Sequence, residues 1–333
     1  MKAVILIGGK GTRLRPLTLE TAKPLLPVVN RPFLRYQLDV LRGHVDDVIL
    51  CAADPRPFRR ALGARIDGMR LTYLSEDRPL GTGGAVKNAE RALAGEKEFL
   101  VLNGDVLNNI DVTALVRAHR KGGRPATIAL TRVADPTMYG LVRVGKSGAV
   151  SEFVEKPSME EADVNTVNAG AYVFDSSVLT ALKSVPSSLE RELFPSLLSD
   201  GGLQSFESRG YWIDIGTLER YLQSHLDLLA GRALLSLPKT TPSLDGGRVA
   251  VGKGSVIDET VRFSGNVSVG ASCRIGAGSV LRDCVLLDGV RVGENARLEG
   301  CIIGPRSRIG PRSELVRCLA LAGGSRIEPF SRL

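Results

Sequence analysis

The sequence has few aromatic residues and no long apolar run. Aromatic residues make up 5% of the 333 positions, too few for the stacking surfaces of proteins that bind single-stranded nucleic acid. The opening run MKAVILIGG is broken by Gly8, Gly9 and Lys10, so it is too short for a signal peptide or a membrane-spanning helix. We therefore expect a cytoplasmic protein that binds neither nucleic acid nor a membrane.

Disulfides and zinc sites are also not expected. The five cysteines are an odd number and form no CxxC pair, which excludes a disulfide framework and a zinc finger. Cys284, Cys301 and Cys318 are 17 residues apart each time, so we predict that they stack as small core residues without metal or redox chemistry. The net charge of +8 comes from scattered lysines and arginines, which suits small phosphorylated ligands.

Two patterns divide the chain. Apolar runs at residues 3–7, 48–52, 71–74 and 99–103 predict strands, and amphipathic stretches at 32–42, 84–93 and 112–121 predict helices. Their alternation is typical of an α/β domain with a Rossmann-like, mixed and mostly parallel sheet, which we assign to residues 1–232. Prolines and small polar residues at 233–248 predict a linker.

A six-residue period follows the linker. Aliphatic or aromatic residues recur every six positions with two slips to five, and the set is Val251, Ile257, Phe263, Val269, Ile275, Leu281, Leu286, Val292, Leu298, Ile303, Ile309 and Leu315. This period predicts a parallel β-helix over residues 249–333, in which each short strand turns one residue inward. The pattern resembles the hexapeptide-repeat, left-handed β-helix, through which we expect homo-oligomers to form.

The segment GGKGTRLRPLT follows the first predicted strand directly. Gly8, Gly9 and Gly11 allow backbone N–H groups to approach phosphate oxygens, and Arg13 adds positive charge. The segment lacks the GK[ST] of a Walker loop, and Leu14 stands where a dinucleotide fingerprint has its third glycine. It therefore predicts a phosphate-binding loop of neither kind.

Two further residues are candidates for chemistry. Lys23 lies next to Pro24 and near Pro27, in a segment with too much proline for a helix, so a rigid loop would hold its ammonium group. Asp105 follows the apolar run FLVLNG, at the carboxyl end of a predicted strand, where open α/β sheets bind ligands. Carboxylate oxygens are the ligands that Mg²⁺ prefers.

Together, GGxGTRLRPLT and KPLLPVVNRP resemble the signature of the sugar-1-phosphate nucleotidyltransferases. The motifs PLGTGGAV, LNGD, FVEKP, NAGAYVF, SLERELFP and YWIDIGT follow in the same order and extend the likeness over nearly the whole chain. Within the family, the chain is most similar to mannose-1-phosphate guanylyltransferases that carry a C-terminal β-helix.

The resemblance implies a site for two substrates. Its nucleotide side would contain Gly8, Gly9, Gly11, Thr12, Arg13, Lys23, Glu76, Gly81, Thr82 and Asp105. Its sugar-phosphate side would contain Gly140, Glu155, Lys156, Asn168, Gly170 and Asp214. Asp105 and Asp214 would share a catalytic Mg²⁺, and Arg13 and Lys23 would complete the catalytic set.

The expected reaction is transfer of a nucleotidyl group from an NTP to a sugar 1-phosphate, with release of pyrophosphate. Glu76 and Asp77 precede the motif that would contact the base, and a carboxylate suits the N–H donors of guanine. GTP is therefore the expected nucleotide, and the resemblance implies mannose 1-phosphate as the sugar substrate. Thymidylyl or uridylyl transfer to glucose 1-phosphate is the alternative.

Two other classes of function are less well supported. A non-catalytic regulatory paralogue should have lost reacting residues, but Arg13, Lys23, Asp105, Lys156 and Asp214 are all present. A second, acyltransferase activity in the β-helix would use a histidine base, and no histidine follows His225.

Overall fold

The computed structural model describes residues 1–183 and 185–333. The chain divides into two compact units. Unit 1 contains Met1–Gly9 and Leu38–Trp212, and unit 2 contains Lys10–Gln37 and Ile213–Leu333. No helix within the described residues is both long enough and apolar enough to span a membrane.

The regular elements are as follows. The helices are α1 (Phe33–Leu41), α2 (Arg56–Leu62), α3 (Gly81–Asn88), α4 (Val112–Gly122), α5 (Val178–Ala181), α6 (Phe194–Ser199) and α7 (Leu218–Leu229). The strands up to Asp214 are β1 (Lys2–Leu6), β2 (Pro27–Val28), β3 (Arg31–Pro32), β4 (Asp47–Ala52), β5 (Arg65–Ile66), β6 (Met69–Ser75), β7 (Glu98–Asn103), β8 (Val106–Asn108), β9 (Ala126–Arg132), β10 (Gly140–Val144), β11 (Val150–Glu155), β12 (Thr166–Asp175), β13 (Leu203–Glu207) and β14 (Trp212–Asp214). The later strands are β15 (Thr240–Pro242), β16 (Arg248–Val251), β17 (Val256–Ile257), β18 (Arg262–Ser264), β19 (Val267–Val269), β20 (Arg274–Ile275), β21 (Val280–Arg282), β22 (Val285–Leu286), β23 (Arg291–Val292), β24 (Arg297–Glu299), β25 (Ile302–Ile303), β26 (Arg308–Ile309), β27 (Glu314–Val316) and β28 (Arg326–Ile327).

Unit 1 is built on a mixed sheet. Its main path has the order β11-β10-β12-β7-β1-β4-β6-β5, and β9 connects β12 to β13. The strands β7, β1, β4 and β6 are parallel and correspond to the four strands predicted from apolar runs, so the predicted α/β fold is confirmed. By contrast, β12 is antiparallel to β7, β9 and β10, and the apolar runs gave no sign of this half of the sheet.

Local capping residues set the bounds of α4 in unit 1, but not those of α3. α4 begins where predicted, because the Asp111 side chain accepts a hydrogen bond of 2.8 Å from the Ala114 N–H and so caps the helix. Its end is marked by Gly123, which has φ +60°. α3 instead begins at Gly81, three residues before the predicted start at 84, and ends at Asn88, five residues before the predicted end at 93.

The early start of α3 has a tertiary cause. The N–H groups of Gly83 and Gly84 donate to the carbonyl oxygen of Ser187 at 2.9 and 3.2 Å. These amides lie in the first turn of the helix, where no intrahelical acceptor is available. An acceptor about a hundred residues away therefore sets the first turn, and local sequence patterns do not reveal it.

The C-terminal part of unit 2 is a parallel β-helix, as predicted. From β16 to β24, each strand pairs with the third strand further along the chain, and β26 pairs with β28. This gives the sheets β16-β19-β22-β25, β17-β20-β23-β26-β28 and β18-β21-β24-β27. Most of the predicted inward residues are buried, but Val251 in the first coil is 41% exposed. The Val285 N–H donates to the Cys301 carbonyl at 2.8 Å and the Ile302 N–H to the Cys318 carbonyl at 3.2 Å, which confirms that the cysteines stack on successive coils.

Residues 10–37 and α7 complete unit 2. The Asn30 amide donates to the Val269 carbonyl of β19 at 2.8 Å. The Tyr221 hydroxyl of α7 donates to the Pro27 carbonyl, and the Val29 N–H donates to Nδ1 of His225 at 3.2 Å. His225 is 1% exposed, and burial lowers its pKa to about 3. The imidazole of the folded protein is thus neutral at neutral pH.

We expect the buried His225 to make the protein less stable in acid. An unfolded histidine has a pKa of about 6.5, so below that pH only the unfolded chain takes up this proton. Stability should fall by about 1.4 kcal/mol per pH unit from this group as pH drops from 6.5 towards 3. Urea unfolding followed between pH 7.5 and 4.5 should show a shallower pH slope for His225→Leu.

The control for this experiment is His44→Leu, because His44 is exposed and should contribute little to the slope. Loss of the Val29 hydrogen bond will also lower the stability of His225→Leu at every pH. For this reason the slope is the measurement, and an unchanged slope in His225→Leu would show that the buried imidazole is not the cause.

Candidate active site

On the predicted nucleotide side of unit 1, Gly8 and Gly9 follow β1 and are exposed. A Cβ atom on Gly8 would lie 3.3 Å from Oε2 of Glu76, so this carboxylate lies directly against the glycine backbone. Glu76 follows β6, its N–H donates to the Ala52 carbonyl at 3.0 Å, and its side chain is 9% exposed. Burial raises the pKa of Glu76, and the Leu80 N–H partly offsets this effect.

Gly81 is in the left-handed region with φ +74°, at the start of α3. A Cβ atom there would overlap the Ser187 carbonyl oxygen, and one on Gly83 would lie 2.7 Å from the Ser187 hydroxyl. Glycine is therefore required at both positions by the close approach of residues near 187. The PLGTGG motif thus has a packing role in addition to its predicted contact with a base.

Thr82 has both of its hydrogen-bonding functions occupied within unit 1. Its hydroxyl donates to Oε2 of Glu190 at 2.6 Å and accepts from the Leu189 N–H at 2.9 Å. The Ser188 hydroxyl donates to the same Glu190 oxygen at 2.8 Å. Thr82 therefore fixes the position of Glu190, a residue to which the sequence analysis gave no role.

Asp105 lies just beyond the carboxyl end of β7, as predicted. The intervening Gly104 donates its N–H to the Leu6 carbonyl at 2.8 Å, and a Cβ atom on Gly104 would overlap Leu6 and Ile7. This close approach holds Asp105 beside the end of β1. The residue is partly exposed, at the edge of the sheet where α/β proteins bind ligands.

The predicted sugar-phosphate side starts from β10 and β11. Gly140 of β10 pairs with Glu155 of β11, and a Cβ atom on Gly140 would lie 3.2 Å from the Glu155 carboxylate. The next residue, Lys156, has φ +52°, and its N–H donates to the Tyr139 carbonyl at 2.9 Å. The left-handed backbone at Lys156 ends the strand.

The carboxylate of Glu155 is affected by burial and by the negative charge of Glu190. Burial raises the pKa of Glu155, the charge of Glu190 raises it further, and Lys156 and Arg191 oppose the rise. An ionised Glu155 is therefore penalised in the folded protein. Such a cost is typical of groups that are retained for binding or chemistry rather than for stability.

Asn168 and Gly170 of β12 form the other part of this side. The Gly170 N–H donates to Oδ1 of Asn168 at 2.9 Å, and Nδ2 of Asn168 donates to the Tyr172 hydroxyl at 2.8 Å. Gly170 has φ +70°, and a Cβ atom on it would lie 2.9 Å from Nδ2 of Asn103. The Asn168 amide is therefore held in one orientation.

An aromatic pair lies next to β12. Nε1 of Trp212 donates to the Ala169 carbonyl at 2.9 Å, and the rings of Tyr139 and Trp212 meet edge to face with centroids 5.2 Å apart. Both rings are neighbours of predicted sugar-binding residues. The motif YWIDIGT contains Trp212, but the sequence alone did not distinguish its role from that of a core residue.

In unit 2, Arg13 lies in a short 3₁₀ turn, Thr12–Leu14, preceded by Gly11 with φ +60°. Both Thr12 and Arg13 are exposed. The guanidinium of Arg13 lies 3.4 Å from where a Cβ atom would stand on Gly216. A Cβ atom there would overlap the Asp214 carboxylate, so glycine at position 216 leaves space for Asp214 beside Arg13.

Asp214 lies close to the same glycine in unit 2. Its Oδ2 accepts the Gly216 N–H at 3.1 Å, and its Oδ1 forms an ion pair with Arg220 of α7. The structure therefore places the predicted phosphate-binding arginine, Arg13, near one of the two predicted metal ligands. Arg220 was missed by the sequence analysis, and it follows the YWIDIGT motif by only three residues.

Lys23 is buried in unit 2, at 8% exposure. It begins a single 3₁₀ turn, Lys23–Leu25, so the predicted absence of an α-helix is correct. A Cβ atom on Gly11 would lie 3.1 Å from the Cβ atom of Lys23. The base of the Lys23 side chain is therefore packed directly against the glycine-rich loop.

Each unit thus contains a coherent set of predicted residues. Unit 1 holds Gly8, Gly9, Glu76, Gly81, Thr82, Asp105, Gly140, Glu155, Lys156, Asn168 and Gly170. Unit 2 holds Gly11, Thr12, Arg13, Lys23 and Asp214. The first set combines acidic and amide acceptors with one lysine, and the second supplies cationic groups that suit phosphates.

The family follows from this fold and from comparison with known proteins. Residues 2–231 match the nucleotidyl transferase family, and residues 246–328 match the GMPPB C-terminal domain. The chain belongs to the nucleotidyl transferase family.

Similar proteins agree with this conclusion. The mannose-1-phosphate guanylyltransferase of Mycobacterium tuberculosis is 37% identical over 87% of this chain and 80% of its own length. The mannose-1-phosphate guanyltransferase of Aspergillus fumigatus is 37% identical over 91% of this chain and 86% of its own length. A crystal structure from Bacillus anthracis, named a putative glucose-1-phosphate thymidylyltransferase, matches with a TM-score of 0.63 and 26% identity over 72% of this chain and 98% of that chain. The predicted class of enzyme, a nucleotidyltransferase, is confirmed.

We expect Glu155→Gln to increase stability at neutral pH. The pKa of Glu155 is raised in the folded protein, so its contribution is present below the unfolded value of about 4.3 and is lost as pH rises through the folded pKa. The denaturation midpoint of Glu155→Gln should match that of wild type near pH 4.3 and exceed it at pH 7.5.

Glu160→Gln is the matched control, because Glu160 is exposed and lies in the loop after β11. Its midpoint should follow that of wild type at both pH values. A Glu155→Gln protein that is less stable than wild type at pH 7.5 would contradict the assigned cost of the buried charge.

Proposed function

We propose that the protein transfers the guanylyl group of GTP to mannose 1-phosphate, giving GDP-mannose and pyrophosphate. The observation that carries the choice of base is the buried Glu76 carboxylate, which lies against the Gly8 backbone. Guanine presents an N–H and an amino group as donors, and a carboxylate is an acceptor with two oxygens. The names of the Mycobacterium tuberculosis and Aspergillus fumigatus relatives support the choice of sugar.

In the proposed reaction, a phosphate oxygen of the sugar 1-phosphate attacks the α-phosphorus of GTP, and the bond from that phosphorus to the pyrophosphate oxygen breaks. The attacking group is already anionic, so no protein nucleophile is required. Positioning and charge neutralisation then supply most of the rate enhancement. Arg13 and Lys23 would neutralise the triphosphate, and Lys156 would hold the sugar phosphate.

The sugar would be oriented by the fixed polar groups of unit 1. Asn168 is held through Gly170 and Tyr172, so its amide costs little entropy to order when a hydroxyl binds. Glu155 would accept hydrogen bonds from sugar hydroxyls, which would offset part of its desolvation cost. Glu190 belongs to the same acidic group, because its charge acts on Glu155.

Nucleotidyltransferases of this family generally use a divalent metal ion, and we propose Mg²⁺ with Asp105 and Asp214 as its protein ligands. The donor chemistry fits, because both side chains offer carboxylate oxygens and Mg²⁺ completes its shell with water and substrate phosphates. Among the described residues, no group of three or more histidine, cysteine, aspartate or glutamate side chains is arranged to hold a metal by itself. When bound, Mg²⁺ would neutralise charge on the reacting phosphates.

The ion pair between Asp214 and Arg220 bears on this proposal. Arg220 fixes the direction of the Asp214 carboxylate through a charge-assisted hydrogen bond. Each carboxylate oxygen has further lone-pair capacity. Arg220 therefore acts on the metal through Asp214, and we classify it as a positioning residue.

We also propose that the protein is cytoplasmic and forms homo-oligomers through its β-helix. Cys51, Cys273, Cys284, Cys301 and Cys318 are all free, as is usual in a reducing compartment. Oligomerisation through the β-helix rests on the resemblance to hexapeptide-repeat proteins. Sedimentation of the full chain over a range of concentrations tests it, and a monomer throughout would refute it.

The choice of substrates is tested by a panel of GTP, dTTP, UTP, ATP and CTP against mannose 1-phosphate and glucose 1-phosphate, read by pyrophosphate release. We expect the highest kcat/KM for GTP with mannose 1-phosphate. Glu76→Gln should lower the preference for GTP by about tenfold, because one charged acceptor is lost. A preference for dTTP or UTP with glucose 1-phosphate would establish the alternative reaction.

The catalytic aspartates are tested by substitution. Asp105→Ala or Asp214→Ala should lower kcat with Mg²⁺ by about a hundredfold or more, since each removes a metal ligand. Asp46→Ala is the control, because its side chain is 94% exposed and plays no proposed role. Full activity of either variant, with circular dichroism matching wild type, would overturn the ligand assignment.

A further inference from the structure

One face of the β-helix carries a row of arginines. In the sheet β17-β20-β23-β26-β28, Arg274 pairs with Arg291, Arg291 with Arg308, and Arg308 with Arg326. All four residues are exposed. Because neighbouring strands lie about 4.8 Å apart, the row extends for about 14 Å along the β-helix. We call these four residues the arginine row.

Within the row, positive charge is largely uncompensated. Arg326 lies 3.4 Å from Oε1 of Glu328. The side chains of Arg274, Arg291 and Arg308 have no ion-pair or hydrogen-bond partner anywhere in residues 1–183 or 185–333. Like charges directly opposite each other on neighbouring strands are destabilising, so the row lowers the stability of the β-helix.

The neighbouring sheet shows how the same fold compensates such charge. In β18-β21-β24-β27, Arg297 pairs in register with Glu314 and lies 3.9 Å from its carboxylate. Arg297 also lies 3.0 Å from Glu299, and Arg332 lies 3.7 Å from Glu314. An acidic residue on the next coil is therefore sufficient to neutralise an arginine, and the arginine row has none in register.

The third sheet of the β-helix, β16-β19-β22-β25, is largely buried by other residues of unit 2. The residues of β19, β22 and β25 are buried, and the Asn30 amide donates to the Val269 carbonyl there. The arginine row, by contrast, lies on an exposed face. Gly276, Gly293 and Gly310 each follow the inward residue of its strand. A Cβ atom on any of them would lie within 3.0 Å of the backbone of the next coil, so these glycines allow the coils to stack closely beside the row.

The chemistry of this face selects its ligand. Guanidinium groups bind phosphate oxygens through two parallel hydrogen bonds, and a regular row of them suits a ligand whose anionic groups repeat along a line. The exposed aromatic ring nearest in sequence to the row is Phe330, which lies under the Arg312 guanidinium at 5.5 Å. The row thus offers charge without the successive stacking platforms that single-stranded nucleic acid requires.

We propose that the arginine row is a binding site for a linear inorganic oligophosphate. The ligand would lie along the β-helix axis with its phosphate oxygens spread over neighbouring guanidinium groups, and it would relieve the repulsion between them. The site is distinct from the residues proposed for catalysis, because none of the row is in that set.

The test is isothermal titration of the full-length protein with sodium tripolyphosphate in the absence of metal. The row variant is Arg274→Gln/Arg291→Gln/Arg308→Gln. The control, Arg262→Gln/Arg282→Gln/Arg317→Gln, changes the net charge equally at exposed residues of the same β-helix. We expect the row variant to lose one binding site per chain, or to bind there at least about tenfold more weakly. The control should bind like wild type.

Two further measurements accompany the titration. Pyrophosphate release by the row variant should equal that of wild type, which shows that the active site and fold are intact. Without tripolyphosphate, the denaturation midpoint of the row variant should rise, because the repulsion between arginines is removed. The midpoint of the control variant should rise less.

Several outcomes would overturn the proposal. Wild-type stoichiometry and affinity in the row variant would show that tripolyphosphate binds only elsewhere. Equal weakening in both variants would show a general effect of net charge. Tighter row-dependent binding of a single-stranded oligonucleotide than of tripolyphosphate would assign the face to nucleic acid instead.

Discussion

The hydrogen bonds between β7 and β12 run through the centre of the sheet of unit 1, and the polar residues of the sugar side depend on them. The register places Ala171 opposite Leu102 and Tyr172 opposite Val101, so Gly170 lies against Asn103. Because Gly170 has no side chain, Asn168 and Tyr172 can form one network beside Asn103. A shift of one residue would turn every side chain of β12 to the opposite face and dissolve this network.

Acidic residues in unit 1 are kept where burial opposes their charge. The pKa values of Glu76 and Glu155 are both raised by burial, although an amide of the same shape would avoid that cost. A charged group at such a position lowers the stability of the fold but can bind a ligand. This combination is expected at a functional site. The two carboxylates lie on the two predicted sides of the site, one for the base and one for the sugar. In the proposed reaction, a carboxylate whose charge is opposed by burial would contribute to selectivity for the base and for the sugar alike.

Sequence patterns predicted the parts of the fold that repeat or that are wholly apolar. The four parallel strands were found because strands buried on both faces are continuous apolar runs. The coils of the β-helix were found because their inward residues recur with a six-residue period. The strands β9 to β13, whose pairs are antiparallel except for β9 with β13, were missed, since residues such as Asn168 and Gly170 interrupt the apolar character of β12. In the site, motifs located Glu155 and Asp214, but their partners Glu190 and Arg220 are defined by contacts that spacing does not encode.

Residues 10–37 belong to the same compact unit as the β-helix, although residues 38–248 lie between them in the chain. The hydrogen bond from Asn30 to the Val269 carbonyl and that from the Tyr221 hydroxyl to the Pro27 carbonyl belong to this unit. Recombination between family members at residues 233–248 would therefore not exchange an independent module. A functional chimaera would need residues 10–37 and the coils of the β-helix from the same parent. These two distant segments are therefore expected to evolve together.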